Sequence, residues 1–355
     1  MKVVHIESGL GNQMLSYCEY LALKKLHPQE DIYIETIVFD LPEAHEVINQ
    51  WNGYELERIF GIHAPNIRDC FSQDSWKGIV NEIRASRWWN KNWNYPVYFT
   101  EAFRNADLSL KNIRGDFEAA GATRNFNMKV QHKSTFRELL VDTDLGDWFK
   151  RWYRTIRHRH FISRCNRYDK VFYRGEDDIF TGQFLSMKNY GNGLDEIEGT
   201  VRGAFKFPPF LDERNCEMAA MLETCNSVAI HARRGDMLGV NGYCYKHGYF
   251  RRAVKYIRKR VHNPVFVFFC DTESVSWCKG NYSIFGVDKE KDKIYFVDWN
   301  KGTESYRDMQ LMSYCRHAVI TNSSFGWWGS FFITNPDKIT IAPKQEVCMM
   351  VTHHC

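Results

Sequence analysis

The chain has 355 residues, of which 44% are hydrophobic and 25% charged. These proportions exclude disordered, collagen-like and disulfide-miniature classes, and the length suits about two domains. A formal net charge of +4 is too mild to indicate nucleic acid. An aromatic content of 15%, with 11 Trp, supplies rings that stack on a sugar or a base as readily as they fill a core.

After Met1 and Lys2 the apolar stretch Val3-Val4-His5-Ile6 is cut short by Glu7, which is no export signal. The stretch between Arg316 and Asp337 lacks Lys, Arg, Asp and Glu. It is interleaved with Thr321, Asn322, Ser323, Ser324, Gly326, Gly329 and Ser330, so it reads as a buried strand and turn rather than a membrane span. Eleven cysteines, an odd number and without a CxxC pair, are expected to be reduced thiols of a cytoplasmic protein. His353, His354 and Cys355 read as a frayed tail.

A strand is expected over 2–6, then a turn, then a helix over 12–26 with Leu15, Cys18, Leu21, Ala22 and Leu26 on one face. Ile32-Tyr33-Ile34-Glu35 completes a βαβ opening. Residues 40–175 are irregular. Trp88, Trp89, Trp93 and Tyr95 there suit either a sugar-stacking wall or a core cluster. Asp142-Thr143-Asp144 has the DxD form that some glycosyltransferases use to hold a metal, but it reads better as a solvated loop or helix start. The basic run from Lys150 to Arg174 faces a single acid, Asp169. It suits a solvated face, or contact with an anionic membrane or a lipid-diphosphate-linked substrate. Glu176-Asp177-Asp178 reads as a solvated acidic turn.

Phe207-Pro208-Pro209-Phe210 resists both helix and central strand and divides the chain into domains 1–205 and 206–355. Beyond it, strands are expected at 227–231, 265–270, 294–297 and 318–321. Phe250, Ala253, Val254, Ile257 and Val261 form one helical face, and Met309, Met312 and Cys315 another. Strands separated by helices mean a second α/β domain.

Three motifs carry candidate chemistry. Ser8-Gly9-Leu10-Gly11-Asn12-Gln13-Met14 lies between a strand and a helix. It matches two glycines of a dinucleotide fingerprint with Met14 at the third, and Glu35 stands where a ribose-binding acid would be. A tight turn and a site for another ligand remain alternatives. His231-Ala232-Arg233-Arg234-Gly235-Asp236 follows a strand, where ligands bind in parallel α/β sheets. Its guanidinium groups fit phosphate in a fork; the alternative is an arginine pair bridged to internal acids, Asp236 among them. Thr321-Asn322-Ser323-Ser324-Phe325-Gly326-Trp327-Trp328-Gly329 also follows a strand, and its hydroxyls and N–H groups suit an anion.

Together, in this order, the three motifs resemble the α-1,2-fucosyltransferase family, a glycosyltransferase family 11-like group within the HxRRGD superfamily. The resemblance covers the first ~30 residues and most of 180–335. It implies an α/β, GT-B-like fold of two Rossmann-type domains facing across a cleft, the first on the acceptor side and the second binding the GDP-sugar. The implied reaction is inverting transfer of L-fucose from GDP-β-L-fucose to the 2-hydroxyl of a terminal β-galactoside, with no metal and no cofactor. The implied partners are the donor and a galactose-terminated oligosaccharide or lipid-linked glycan, with no nucleic acid and with peripheral contact at the inner membrane surface as an option for the basic run.

Carried over residue by residue, Arg233 grips the diphosphate, with Arg234 holding the loop or adding to the donor site. Asn322, Ser323, Ser324 and Phe325 complete the cradle. His231 and Asp308 lie near guanosine, and Asp271 is a further nucleotide-side candidate. Asn12 lies near the acceptor, on a turn with Gly9, Gly11 and Gln13. Asp236 is a candidate base, and the identity of the base stays open. Ser8 departs from a usual Gly, Cys270-Asp271-Thr272 from Ser-Asp-Asp, and Leu185 from Gln. Transfer of another GDP-sugar, a dinucleotide-dependent oxidoreductase using Gly9 and Gly11, and a non-catalytic carbohydrate-binding module are the competing readings.

Overall fold

A computed structural model of the chain describes residues 1–46, 48–90, 96–112, 175–182 and 194–343. The chain divides into two compact units, Met1–Lys206 and Phe207–Cys355.

The first unit is built on a parallel sheet. Strands β1 (Lys2–His5), β2 (Ile32–Glu35), β3 (Lys111–Asn112) and β4 (Ile179–Thr181) lie in the order β2-β1-β4-β3. The helix after β1 spans Leu10–Leu26 and starts two residues before the position expected from periodicity. Gly9, in an extended conformation, is its N-cap, and the Gly9 carbonyl accepts from the N–H of Asn12 and Gln13. The helix is buried on nearly every side over its first four turns, so its start carries no clean apolar stripe.

Val3, Ile37, Val38, Trp76, Ile79, Ile83, Phe99, Phe103 and Phe180 form the core. Trp88 is fully buried within it and Trp89 packs against it, so the core reading holds for these two; Trp93 and Tyr95 lie outside the described residues. The acidic turn at 176–178 is more than solvated. The fully buried ammonium of Lys2 donates to the carbonyls of Gly175 (2.9 Å) and Asp177 (2.6 Å), and the Asp178 carboxylate receives the N-terminal amine. A buried cation requires such partners.

The second unit holds β5 (Ser227–Ala232), β6 (Val265–Cys270), β7 (Lys293–Val297), β8 (His317–Ile320) and β9 (Thr340–Ile341). All are parallel, in the order β7-β6-β5-β8-β9. Val228, Ile230, Phe266, Phe268 and Val319 face one core, with Phe250, Val254 and Ile257 of the helix Tyr249–Arg258. Their neighbours Ala229, Val265, Val267, Phe269, Ala318 and Ile320 face the other, with Leu222, Leu311 and Met312. Because both faces are covered, β6 is one unbroken apolar run. In β7, Lys293 and Tyr295 are exposed, as befits a more peripheral strand. Both units are therefore α/β with parallel sheets, the expected GT-B-like composition. No helix among the described residues is long and apolar enough to cross a membrane.

The strand order of the second unit reverses at β5. The chain runs outward through β6 and β7, then returns to place β8 on the other side of β5. The carboxyl ends of β5 and β8 thus flank the crevice where open α/β sheets bind ligands.

Candidate functional site

The strand β5 delivers His231 and the loop from Arg233 to Asp236; β8 delivers Thr321, Asn322 and the helix Ser324–Phe331. Two of the sequence motifs therefore meet at the reversal. Thr321 joins them: its N–H and its hydroxyl both donate to the His231 carbonyl (3.2 Å each), and its oxygen accepts from the Arg233 N–H (3.1 Å). Asn241 is a second joint. It is fully buried, accepts from the Asn322 N–H (3.0 Å), and donates to the carbonyls of Arg233 (3.0 Å) and Asn322 (3.4 Å). Sequence reasoning missed Asn241, because a single Asn in the short helix Leu238–Lys246 carries no distinguishing signal.

His231 is buried, with its ring against Phe325 at a centroid distance of 6.0 Å. Burial, aided by the adjacent Arg233 charge and opposed by Asp271, lowers its pKa to about 4, so the imidazole is neutral at neutral pH. Gly326 packs directly onto this ring: a Cβ there would lie 2.4 Å from Nδ1 and 2.8 Å from Cγ. Gly326→Ala is accordingly expected to displace the ring or the helix start, destabilising the chain by about 1–3 kcal/mol. Denaturant titration checks this, and an unchanged midpoint would show that the contact relaxes freely.

Among the described residues, Arg233 meets two carboxylates. One terminal nitrogen meets Asp271 Oδ1 at 2.6 Å and the other meets Asp236 Oδ1 at 2.9 Å. The alternative of an arginine bridged to internal acids is thus realised for Arg233. Asp271, expected on the nucleotide side, supports the loop. Its second oxygen accepts from the N–H of Arg234 (2.7 Å) and Gly235 (2.8 Å), so both oxygens are committed. The reason is topological: β6 lies beside β5, so the residue after β6 reaches the loop after β5. Asp236 lies on the exposed side of the same arginine.

Arg234 differs. Its guanidinium carbon lies 3.8 Å from the Trp277 ring centroid and 5.9 Å from that of Tyr245. Its Nε is buried without a hydrogen-bond partner, and no carboxylate pairs with it among the described residues. Cation–π packing of this kind fixes the side chain while leaving its charge unneutralised.

Ser323 is the extended N-cap of the helix Ser324–Phe331, and its side chain makes no capping bond. Ser323, Ser324 and Phe325 are half-buried, so hydroxyls and helix N–H groups share one end of the helix. Asn322 is buried, its amide 3.5 Å from the Tyr243 hydroxyl. Trp328 is fully buried as a core anchor, whereas Trp327 is half-buried. Asp308 opens the helix Tyr306–Tyr314 after β7, on the same sheet edge, and accepts from the Asn300 amide at 2.9 Å. Burial pushes its pKa up to about 7, against the lowering by Asn300 and with the Asp298 charge adding.

In the first unit, Ser8 has a left-handed backbone (φ 64°), which explains the preference for glycine there. Gly9 and Gly11 lie in the turn and the first helical turn, and half-buried Asn12 follows. Gln13 is a brace: its amide donates to the carbonyls of Ser8 and Gly53 (2.8 Å each), and its oxygen accepts from the Glu55 N–H (2.9 Å). Glu35 is fully buried, its carboxylate taken by His5 Nδ1 and the Ile37 N–H, and is closed to a ribose. The arrangement of His5 between Glu35 and Glu7 (Nε2 to Oε2, 3.2 Å) was not anticipated. Asp142, Asp144, Leu185, the basic run from Lys150 to Arg174, and His353, His354 and Cys355 lie outside the described residues. Among the described residues no three His, Cys, Asp or Glu side chains gather to hold a metal.

Residues 109–348 match the family model described as Glycosyl transferase family 11. The O-antigen biosynthesis glycosyltransferase WbnK of Escherichia coli is 31% identical over 96% of this chain and 93% of its own length. An alpha-1,2-colitosyltransferase of Escherichia coli is 34% identical over 36% of this chain and 43% of its own. Galactoside 2-alpha-L-fucosyltransferase SEC1 of Bos taurus is 31% identical over 29% of this chain and 28% of its own. The chain thus spans less than half the length of the latter two. Among solved structures, the fucosyltransferase NodZ from Bradyrhizobium aligns over 93% of this chain and 91% of its own, at 10% identity and a TM-score of 0.42. With the family match over residues 109–348 and a relative aligned over almost its whole length, the chain belongs to glycosyl transferase family 11 and is a glycosyltransferase.

Proposed function

We propose that the chain transfers L-fucose from GDP-β-L-fucose to the 2-hydroxyl of a terminal β-galactoside, inverting the anomeric centre and using no metal. The observation that supports this reading is the meeting, through Thr321, of the arginine-bearing loop after β5 and the serine-bearing helix start after β8 at the reversal of strand order. Breaking the bond from C1 to the β-phosphate oxygen places negative charge on the leaving diphosphate. Fixed donors in a partly buried site stabilise that charge without reorganising.

Arg233 is aimed by Asp271, which is itself fixed by two backbone N–H groups. Asp236, on the exposed side, yields its place to a phosphate oxygen when the donor arrives. Ser323 and Ser324 add hydroxyls and the helix N–H groups add donors, while Arg234 contributes its unneutralised charge from the face of Trp277. Asp308, near its titration midpoint when empty, ionises against guanine by accepting both N1–H and N2–H. Asn12 orients the acceptor hydroxyl. Asp236, once displaced, is a candidate to take the proton.

A second reading has an observation of its own, the 34% identity to a colitosyltransferase. Colitose is a 3-deoxy counterpart of fucose, and a cradle for guanine and diphosphate does not read the sugar ring. The test is incubation with GDP-fucose, GDP-colitose and GDP-mannose against lactose and a small glycan panel, with the linkage determined by NMR. Fucose is expected in an α-1,2 linkage, with activity surviving EDTA. Preferential colitose transfer would move the donor assignment. Loss on chelation with recovery in manganese would move the diphosphate grip to the DxD sequence at Asp142 and Asp144.

A further inference from the structure

A chain of side-chain hydrogen bonds runs from Asp212, at the start of the helix Glu213–Thr224, through Asn215 and Asn300 to Asp308. All of these residues belong to the second unit, and none lies in the three sequence motifs.

The ends of the chain fix its direction. Asp212, an ionised carboxylate, can only accept, and it accepts from both the N–H and the side-chain amide of Asn215 (2.8 Å each). The Trp299 indole can only donate, and its Nε1 donates to Asn215 Oδ1 at 2.9 Å. The buried Asn215 amide is therefore held one way round. Its remaining hydrogen goes to Asn300 Oδ1 (2.8 Å), and its oxygen also accepts from Asn300 Nδ2 (3.2 Å). This pairing orients Asn300 in turn. One hydrogen is left on its Nδ2, and it goes to Asp308 Oδ1 at 2.9 Å. A reversed Asn300 amide would set nitrogen against nitrogen at Asn215 and oxygen against oxygen at Asp308, which leaves part-buried groups unpaired. Trp299 is itself clamped. The Arg214 guanidinium carbon lies 3.9 Å from its ring centroid, and a nitrogen of that side chain meets Asp298 at 3.5 Å.

Asp308 is half-buried, and no other side chain among the described residues bonds its carboxylate. A carboxylate oxygen accepts two bonds, so the Asn300 donor leaves one position on Oδ1 beside those on Oδ2. Two adjacent acceptors in a fixed plane match the N1–H and N2–H of guanine. A carboxylate free to rotate would offer them in many planes, at an entropic cost on binding.

We propose that Asn300 is a positioning residue for base selection: with Asn215 behind it, it sets the plane in which the Asp308 carboxylate meets guanine. Donation to Oδ1 also favours the charged carboxylate over the acid, whose own hydrogen would oppose those of the base. This role rests on the guanine reading of Asp308 above.

Calorimetric titration with GDP, IDP and inorganic pyrophosphate tests it. IDP keeps N1–H and lacks the 2-amino group; pyrophosphate has no base. The wild-type protein is expected to bind GDP about tenfold tighter than IDP. Asn300→Ala should weaken GDP binding about tenfold and bring GDP and IDP to within about threefold of each other, with pyrophosphate affinity unchanged. Asn300→Asp has the same shape but turns an oxygen toward Asp308, so it should do no better than Ala. A brace that acts by shape alone would leave the Asp variant near wild type. A GDP preference that survives Asn300→Ala, or returns in Asn300→Asp, would overturn the positioning role, as would an equal loss of GDP, IDP and pyrophosphate binding. In each of those cases the wild-type preference keeps the guanine reading standing. Wild-type protein that binds IDP as tightly as GDP would instead sink the guanine reading of Asp308, and this role with it.

Discussion

Arg233→Ala is expected to lower kcat/KM for sugar transfer by about a thousandfold, roughly 4 kcal/mol of transition-state stabilisation. The size follows from what the side chain does. Its guanidinium is held by Asp271 at 2.6 Å and by Asp236 at 2.9 Å, at the mouth of the strand-order reversal. The loop is expected to survive the substitution, because Asp271 still accepts from the N–H groups of Arg234 and Gly235, and Thr321 still receives the Arg233 N–H. The fold cost is therefore about 1–3 kcal/mol, for a largely buried carboxylate that loses its cation. Arg233→Lys keeps the charge but cannot span Asp271 and a phosphate at once, so it should recover little activity. Steady-state kinetics beside a denaturation curve separates the two effects. Near-wild-type turnover in the Ala variant would pass the diphosphate role to Arg234, the arginine without a carboxylate partner among the described residues.

The parts legible in the sequence were those that depend on local pattern. The run Val265–Cys270 announces a strand covered on both faces, and the face shared by Phe250, Val254 and Ile257 announces its covering helix. The two motifs at the ends of β5 and β8 were also visible as strand-end loops, although their adjacency needs the pairing of His231 with Ile320. What stayed hidden depends on which strands are neighbours. The support that Asp271 gives the loop was hidden because its place after β6 says nothing of the loop beside it. Asn241 ties two loops 89 residues apart, from Arg233 to Asn322, and no spacing reveals that. The early helix start at Leu10 was obscured because a segment buried all round shows no stripe. The strained Ser8 and Trp51 follow rules that favour glycine, so their residue types concealed the backbone.

The same blindness to strand pairing concealed His5, where the largest effect on stability is expected. The parallel register sets His5 against Glu35, thirty residues on, and Glu7 closes the other side of the ring. All three are buried, with Phe99 and Phe180 packed on the imidazole at centroid distances of 5.5 and 5.8 Å. Burial pulls the His5 pKa down, but attraction to Glu35, then to Glu7, outweighs it, so the folded-state value lies above the usual 6.5. A raised value means that the folded state binds the proton more tightly. The stabilisation is fully present below about pH 6.5 and is lost as pH rises through the folded value. His5→Ala withdraws the cation from two buried carboxylates and should cost about 3–5 kcal/mol, with the denaturant midpoint falling accordingly. His5→Gln keeps one donor for one carboxylate and should recover part of that loss. The pH arm discriminates charge from packing. Wild-type stability should decline as pH climbs above 6.5, and this contribution should be missing from the slope of both variants. Equal slopes in all three proteins would mean that His5 stabilises as a neutral ring, through its packing on Phe99 and Phe180 alone.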